Sequence, residues 1–267
     1  MIRWAVFALI GAVTLFPTWL MIANSFSPMK AFIRVPPTLL PFAYTLDHYK
    51  KIFSLPLLPR WALNTLLLLA IHVVAGVLVN GAAGYVFAFS RARWAKWAFW
   101  AMMTPIFVSG YVMIIPQFIV TGALKMSGMM AVISMSVLWP TGIYLFRNYF
   151  RSIPLSIIES ARIDGAQEWS ILTRIVLPLA KPILGTSVVF LGMGSLGAYL
   201  WPMLNLQQPA SQTYLVGLMA SVMSFYTVRD IGYHLAIGVM MFLPYLLLFA
   251  FSSRYFIGGL TGGALKE

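Results

Sequence analysis

A chain of 267 residues that is 61% hydrophobic and only 9% charged, with a mean hydropathy of +0.87, cannot coat itself as a water-soluble domain. Such a surface needs roughly 25–35% charged side chains, so the chain reads as an integral membrane protein. With no cysteine, it excludes disulfides, thiol nucleophiles, cysteine zinc sites and cysteine-ligated iron–sulfur clusters. Histidines at 48, 72 and 234 are too scattered for a local metal motif, and no Gly-Lys pair offers a phosphate-cradling loop.

A crossing helix needs about 20 apolar residues. The charge-free runs predict an all-α polytopic fold with six spans, at about 4–26, 62–89, 97–121, 127–147, 183–202 and 232–253. The first run is longer than a signal-peptide core and reads as a retained helix. Six prolines between residues 28 and 59 predict an ordered outer loop with short helical pieces at most. Residues 214–228 are short for a crossing and read as an interfacial or re-entrant segment. Seven helices is the alternative count.

With the N-terminus inside, 11 Lys and Arg fall on inner segments and 7 on outer ones. The positive-inside rule then places both termini in the cytoplasm. The net charge of +12 is thus a topology signal and not a nucleic-acid surface.

Between spans four and five, the segment 151–180 carries Glu159, Asp164 and Glu168, half the acids in the chain. Pro154 suits a first helical turn, and Leu155, Ile158 and Ala161 follow at helical spacing. Gly165 suits a left-handed stop. A second helix from about Gln167 is expected to put Trp169, Leu172, Ile175 and Val176 on one face. The pair either lies on lipid headgroups or docks a partner protein; acids among the basic residues favour the partner.

Glu159-Ser160-Ala161, Asp164-Gly165-Ala166 and Ile175-Val176-Leu177-Pro178 resemble the EAA loop of permease subunits of bacterial ABC importers. The text Ala161 to Ala166 is similar to the carbohydrate-uptake branch, the maltose and glycerol-phosphate permeases. Phe16-Pro17, Leu40-Pro41, Asn64-Thr65, Pro116-Gln117-Phe118, Leu200-Trp201-Pro202 and Arg254-Tyr255-Phe256 extend the likeness along nearly the whole chain. The resemblance implies one half of a heterodimeric pore in a bacterial or archaeal cell membrane. Its partners would be a second, homologous permease, two ATPase subunits and an extracytoplasmic solute-binding protein, with a carbohydrate as solute. ATP and magnesium would sit on the ATPases, and no cofactor, metal or catalytic residue on this chain. Glu159, Ser160, Ala161, Asp164, Gly165, Leu177 and Pro178 would form the coupling element. Glu159 would meet a basic group of the ATPase cleft, and Gly165 would make the bend.

Two departures stand out. Ser160 replaces the middle alanine of the signature, and Leu196-Gly197-Ala198 stands where many relatives carry Trp-Asn-Glu. No Asp or Glu falls in any predicted span, which argues against a carboxylate-based carrier. A self-sufficient carrier or channel, and an ABC permease for a non-sugar solute, are the alternatives. Asn80, Gln117 and Tyr199 are the candidates for a solute pathway, while His72 reads as a residue satisfied within helix packing.

Overall fold

The structure is a computed structural model that describes residues 2–32, 43–224 and 230–261, with the side chains of residues 2, 224 and 253–261 outside the description. Leu40-Pro41 and the side chains of Arg254-Tyr255-Phe256 therefore lie outside it. Among the described residues every regular element is helical: α1 (Ile2–Asn24), α2 (Met29–Phe32), α3 (Asp47–Phe53), α4 (Leu58–Phe89), α5 (Arg93–Met103), α6 (Gly110–Ala123), α7 (Gly128–Ser136), α8 (Pro140–Arg151), α9 (Leu155–Ile163), α10 (Glu168–Ile171), α11 (Leu177–Leu179), α12 (Lys181–Gly197), α13 (Leu200–Asn205), α14 (Tyr214–Ser224) and α15 (Ile231–Thr261).

Four stretches are long and apolar enough to cross a bilayer: Arg3–Asn24, Leu58–Phe89, Gly128–Arg151 and Ile231–Ser252. Two further helix pairs are long and apolar enough only when taken together, and both are bent: Arg93–Phe107 with Gly110–Ala123 by 115°, and Glu168–Leu179 with Lys181–Gly197 by 86°. The spans expected at 97–121 and 183–202 overlap these two bent pairs. Prolines explain where helices stop, because a proline ring clashes with the carbonyl four residues back. Four residues before Pro140 is Ser136, the last residue of α7. Four before Pro202 is Ala198, which leaves the helix at φ −66°, ψ 111° after α12 ends at Gly197. At 11 residues, α14 spans only about 16 Å at 1.5 Å per residue, so it does not cross.

The chain divides into two compact units, residues 1–64 with 208–246 and residues 65–207 with 247–267. In the first, Ile52, Trp61, Leu218, Tyr233 and Ile237 form a buried core. Gly217 gives way to the Trp61 indole, whose Nε1–H donates to the Pro209 carbonyl at 2.6 Å. Asn64 donates to the carbonyls of Ala210 and Gln212 at 3.0 and 2.9 Å, tying down the loop before α14. Asp230 caps α15 through the Tyr233 N–H at 3.3 Å, with His48 3.5 Å away.

In the second unit, Tyr85, Phe89, Phe146, Phe150, Ile158, Ile171, Leu172 and Val176 make one core. It joins the ends of α4 and α8 to the segment α9–α11. The helices meet closely: a Cβ at Gly84 would stand 2.6 Å from Phe146 Cβ and 3.1 Å from the Arg147 backbone nitrogen. Arg147 donates to the Phe87 carbonyl at 3.1 Å and covers the Phe99 ring at 4.1 Å.

Candidate functional site

The segment α9–α11 is built around its turn. Gly165 has φ +79°, a conformation that L side chains rarely adopt. Its N–H donates to the Arg162 carbonyl at 3.1 Å, and the Ala166 N–H donates to the Ala161 carbonyl at 3.0 Å. These are the two bonds of a Schellman stop. Beyond the turn, a π-helical turn over Leu172–Val176 joins α10 to α11. Pro178 has no N–H for the Arg174 carbonyl and would crowd it; the widened turn lets the Leu177 N–H reach Leu172 instead.

That widening rotates the second helix. Ile171, Leu172 and Val176 are buried, Ile175 is half-buried, and Trp169 is 62% exposed, so Trp169 does not share the inward face expected of it. Leu155, at the first turn of α9, is exposed as well, while Ile158 and Ala161 pack inward. Burial of Ile158, Ile171 and Val176, each at 0% exposure, contributes about 2 kcal/mol apiece.

The expected site residues occupy distinct positions. Glu159 is half-buried, Ser160, Asp164, Gly165 and Pro178 are exposed, Leu177 is half-buried and Ala161 is buried. Because the middle of the signature faces out, serine loses no packing there. Glu159 accepts from Arg91 Nη2 at 2.5 Å, a pair within this chain that sequence alone did not reveal. Arg91 is 80% exposed in that pair and Glu159 44%. Exposed pairs of this kind stabilise by only about 0–1 kcal/mol, so the partner is readily exchanged.

Glu168 takes both Arg162 Nε, at 2.7 Å, and Arg162 Nη2, at 3.2 Å, and accepts the Tyr85 hydroxyl. The Arg162 hydrogen bond holds the Glu168 carboxyl below its ordinary value of 4.5, and Glu168 in turn raises Arg162. A depressed carboxylate pKa stabilises the fold above the ordinary value and loses that contribution as pH falls through the folded one. Hydrogen exchange of residues 155–176, corrected for intrinsic rates, is therefore expected to be constant from about pH 8 to 5. It should rise only below the ordinary value of 4.5; a rise near neutrality would remove this clamp. A cavity of about 530 Å³ opens beside the clamp, lined by Tyr85, Phe89, Arg91, Arg162, Glu168 and Trp169 among others.

The three pathway candidates separate. Asn80 is fully buried, donates to the Gly76 and Val137 carbonyls at 2.5 and 2.9 Å and accepts the Trp139 N–H at 2.9 Å. It splices the break between α7 and α8, with both N–H bonds spent and no surface open to solute. Tyr199 sits at the break before α13, its carbonyl taking the Met203 N–H at 2.9 Å. Gln117 alone of the three lines a cavity of about 390 Å³, together with Ser109, Tyr111, His72, Ser136 and Trp201. It also borders a second cavity of about 350 Å³.

His72 is satisfied, as its setting predicted. Ser136 donates back to the Val132 carbonyl, so its oxygen accepts from His72 Nε2 at 2.5 Å. Nδ1 pairs with the Ser195 hydroxyl at 3.1 Å.

Comparison with known proteins agrees with this architecture. Residues 73–256 match the family of the inner membrane component of binding-protein-dependent transport systems. The chain is 30% identical to the arabinooligosaccharides transport system permease protein AraQ of Halalkalibacterium halodurans, over 97% of this chain and 94% of that one. It is 30% identical to the inner membrane ABC transporter permease protein YcjP of Escherichia coli, at the same two coverages. To the maltodextrin transport system permease protein MdxG of Bacillus subtilis it is 32% identical, over 84% of this chain and 81% of that one. A solved bacterial ABC transporter involved in import of the acidic polysaccharide alginate shares the fold, with TM-score 0.83 at 22% identity over 96% of this chain and 95% of that one.

The chain belongs to the binding-protein-dependent transport system inner membrane component family. It is a multi-pass membrane permease, a transport component and not itself an enzyme.

Proposed function

We propose that this chain forms half of the pore of an ATP-driven importer for a carbohydrate, and that α9–α11 is the cytoplasmic element that docks on an ATPase. The observation that carries the docking reading is where the apolar face of this segment goes. Ile158, Ile171, Leu172 and Val176 are buried in the chain's own core, so they are not available to insert among lipids as an interfacial helix requires. What faces outward around the turn is a mixture: Ile163 at 85% exposure, Trp169, Glu159 and Asp164. A patch of exposed aliphatic and aromatic side chains edged by charge has the composition of a protein interface.

Relatives that carry oligosaccharides in their names, for arabinooligosaccharides and maltodextrin, support the solute class. A second permease and an external binding protein complete the reading. The membrane window of Arg3–Asn24 is 0% buried within the chain, which leaves its apolar surface for lipid and for that second permease. The charge asymmetry of the loops supports a cytoplasmic position for both termini.

The test is a mild-detergent affinity purification of the chain from its native membrane. The expected result is co-recovery of a P-loop ATPase and a second, similar permease. Glu159→Ala is expected to recover about tenfold less ATPase from an equal amount of inserted chain, because the cation it meets in the cleft is left unpaired. Repeated recovery of this chain alone, as a homo-oligomer, would favour a carrier or channel.

A further inference from the structure

We infer that this subunit itself contacts the solute, through Gln117 with Ser109 and Tyr111, and that the solute portion held there is an uncharged saccharide. The inference rests on the importer reading above and adds to it a contact and a charge class.

The geometry begins with the helix break. Gly110, Ile114 and Gln117 lie at i, i+4 and i+7 of α6, one face of the helix, and all three line the cavity of about 390 Å³. A Cβ at Gly110 would meet nothing within 4 Å, so the mouth of this face is open space. The volume is within the range of small-molecule sites.

Three polar groups on this wall have no hydrogen-bond partner among the described residues: the Gln117 amide, the Ser109 hydroxyl and the Tyr111 hydroxyl. Next to Gln117, Thr121 shows the alternative, closing its hydroxyl on the Gln117 and Phe118 carbonyls at 2.9 and 3.1 Å. His72 and Ser136, on the opposite wall, are closed on each other and on Ser195. Polar groups at membrane depth are satisfied inside the protein or face a water-filled cavity. The Gln117 amide therefore belongs to a wetted path. It offers a donor and an acceptor side by side, the pairing that a sugar hydroxyl needs.

The solute class follows from what is missing. None of the thirteen residues lining this cavity is Asp, Glu, Lys or Arg. The same holds for the nine lining the neighbouring cavity that shares Gln117. On this chain's share of the wall a phosphate, a uronate or an ammonium group would find no counter-charge, whereas a neutral sugar needs only amide, hydroxyl and ring contacts. Tyr111, 78% exposed, presents such a ring.

The experiment uses the whole complex that the chain forms, placed in proteoliposomes with its binding protein. Maltotriose, arabinotriose and digalacturonate are offered in turn. The expected result is uptake of a neutral trisaccharide, about tenfold slower in Gln117→Leu and partly restored in Gln117→Asn. The chain has no cysteine, so Gln117→Cys supplies a single thiol in it. That thiol is expected to react with a water-soluble maleimide and to be protected by the transported trisaccharide, a readout that a purely structural amide would not give. Uptake of digalacturonate in place of the neutral sugars, a wild-type rate in Gln117→Leu, or a thiol at 117 that is unreactive or unprotected would overturn the contact. A wild-type chain that recovers no ATPase, or a complex that takes up none of the three, overturns the importer reading beneath it.

Discussion

Gly165→Pro is expected to abolish uptake while the chain still inserts in the membrane. The native φ of +79° is far from the −65° that the pyrrolidine ring imposes. The substitution also deletes the N–H that closes on the Arg162 carbonyl at 3.1 Å. The combined cost is about 3 kcal/mol or more, against a segment held by three or four buried aliphatic side chains. The open space around Gly165 makes the test clean, because a Cβ there would meet nothing within 4 Å. For the alanine and asparagine replacements, conformation is then the only variable. Gly165→Ala should cost about 1–2 kcal/mol and slow uptake several-fold, and Gly165→Asn, which tolerates the left-handed region, should stay near wild type. The order Asn above Ala above Pro, measured as initial uptake rate per inserted chain, is the signature of a turn that must hold its shape. Equal rates across the series would remove the turn from coupling.

What was legible in the sequence was what local chemistry decides. Charge-free runs located the apolar segments, because a charge in hydrocarbon is costly. Gly165 announced a left-handed stop, and residues 214–228 announced a segment too short to cross, of which 214–224 is helical. The helix breaks at 137–139 and 198–199 were written in Pro140 and Pro202 but were hidden by unbroken hydropathy, which is blind to the carbonyl four residues back. The rotation that exposes Trp169 came from a π turn forced by Pro178, and a 3.6-residue period carries no trace of it. Long-range pairs were out of reach altogether. Arg91 lies 68 residues from Glu159, and Tyr85 lies 83 from Glu168. The polar candidates within the spans shared one residue type profile, and only packing separates the buried splice of Asn80 from the open amide of Gln117.

That separation yields the sharpest contrast in the molecule, and Asn80→Ala is expected to show it as a loss of stability and not of solute affinity. The break at 137–139 leaves a carbonyl at Val137 and an N–H at Trp139 that helix bonds would otherwise satisfy, and Asn80 answers both with one side chain. Alanine answers neither. Each unpaired buried group costs about 1–3 kcal/mol, and water to replace the partner is scarce at membrane depth. The thermal midpoint of the purified chain in detergent is expected to fall by roughly 10 °C, using about 2–4 °C per kcal/mol for a chain of this size. Asn80→Asp gives the complementary case: it keeps an acceptor for Trp139 but turns a carboxylate toward the Val137 and Gly76 carbonyls, so it should not restore the midpoint. Uptake by Asn80→Ala should fall only in proportion to surviving complex, with an unchanged half-saturating solute concentration. Gln117 variants should do the reverse, keeping their midpoint while uptake falls. An unaltered midpoint with weakened solute affinity in Asn80→Ala would return that residue to the solute path, because a side chain whose removal costs no stability cannot be holding two backbone groups together in hydrocarbon.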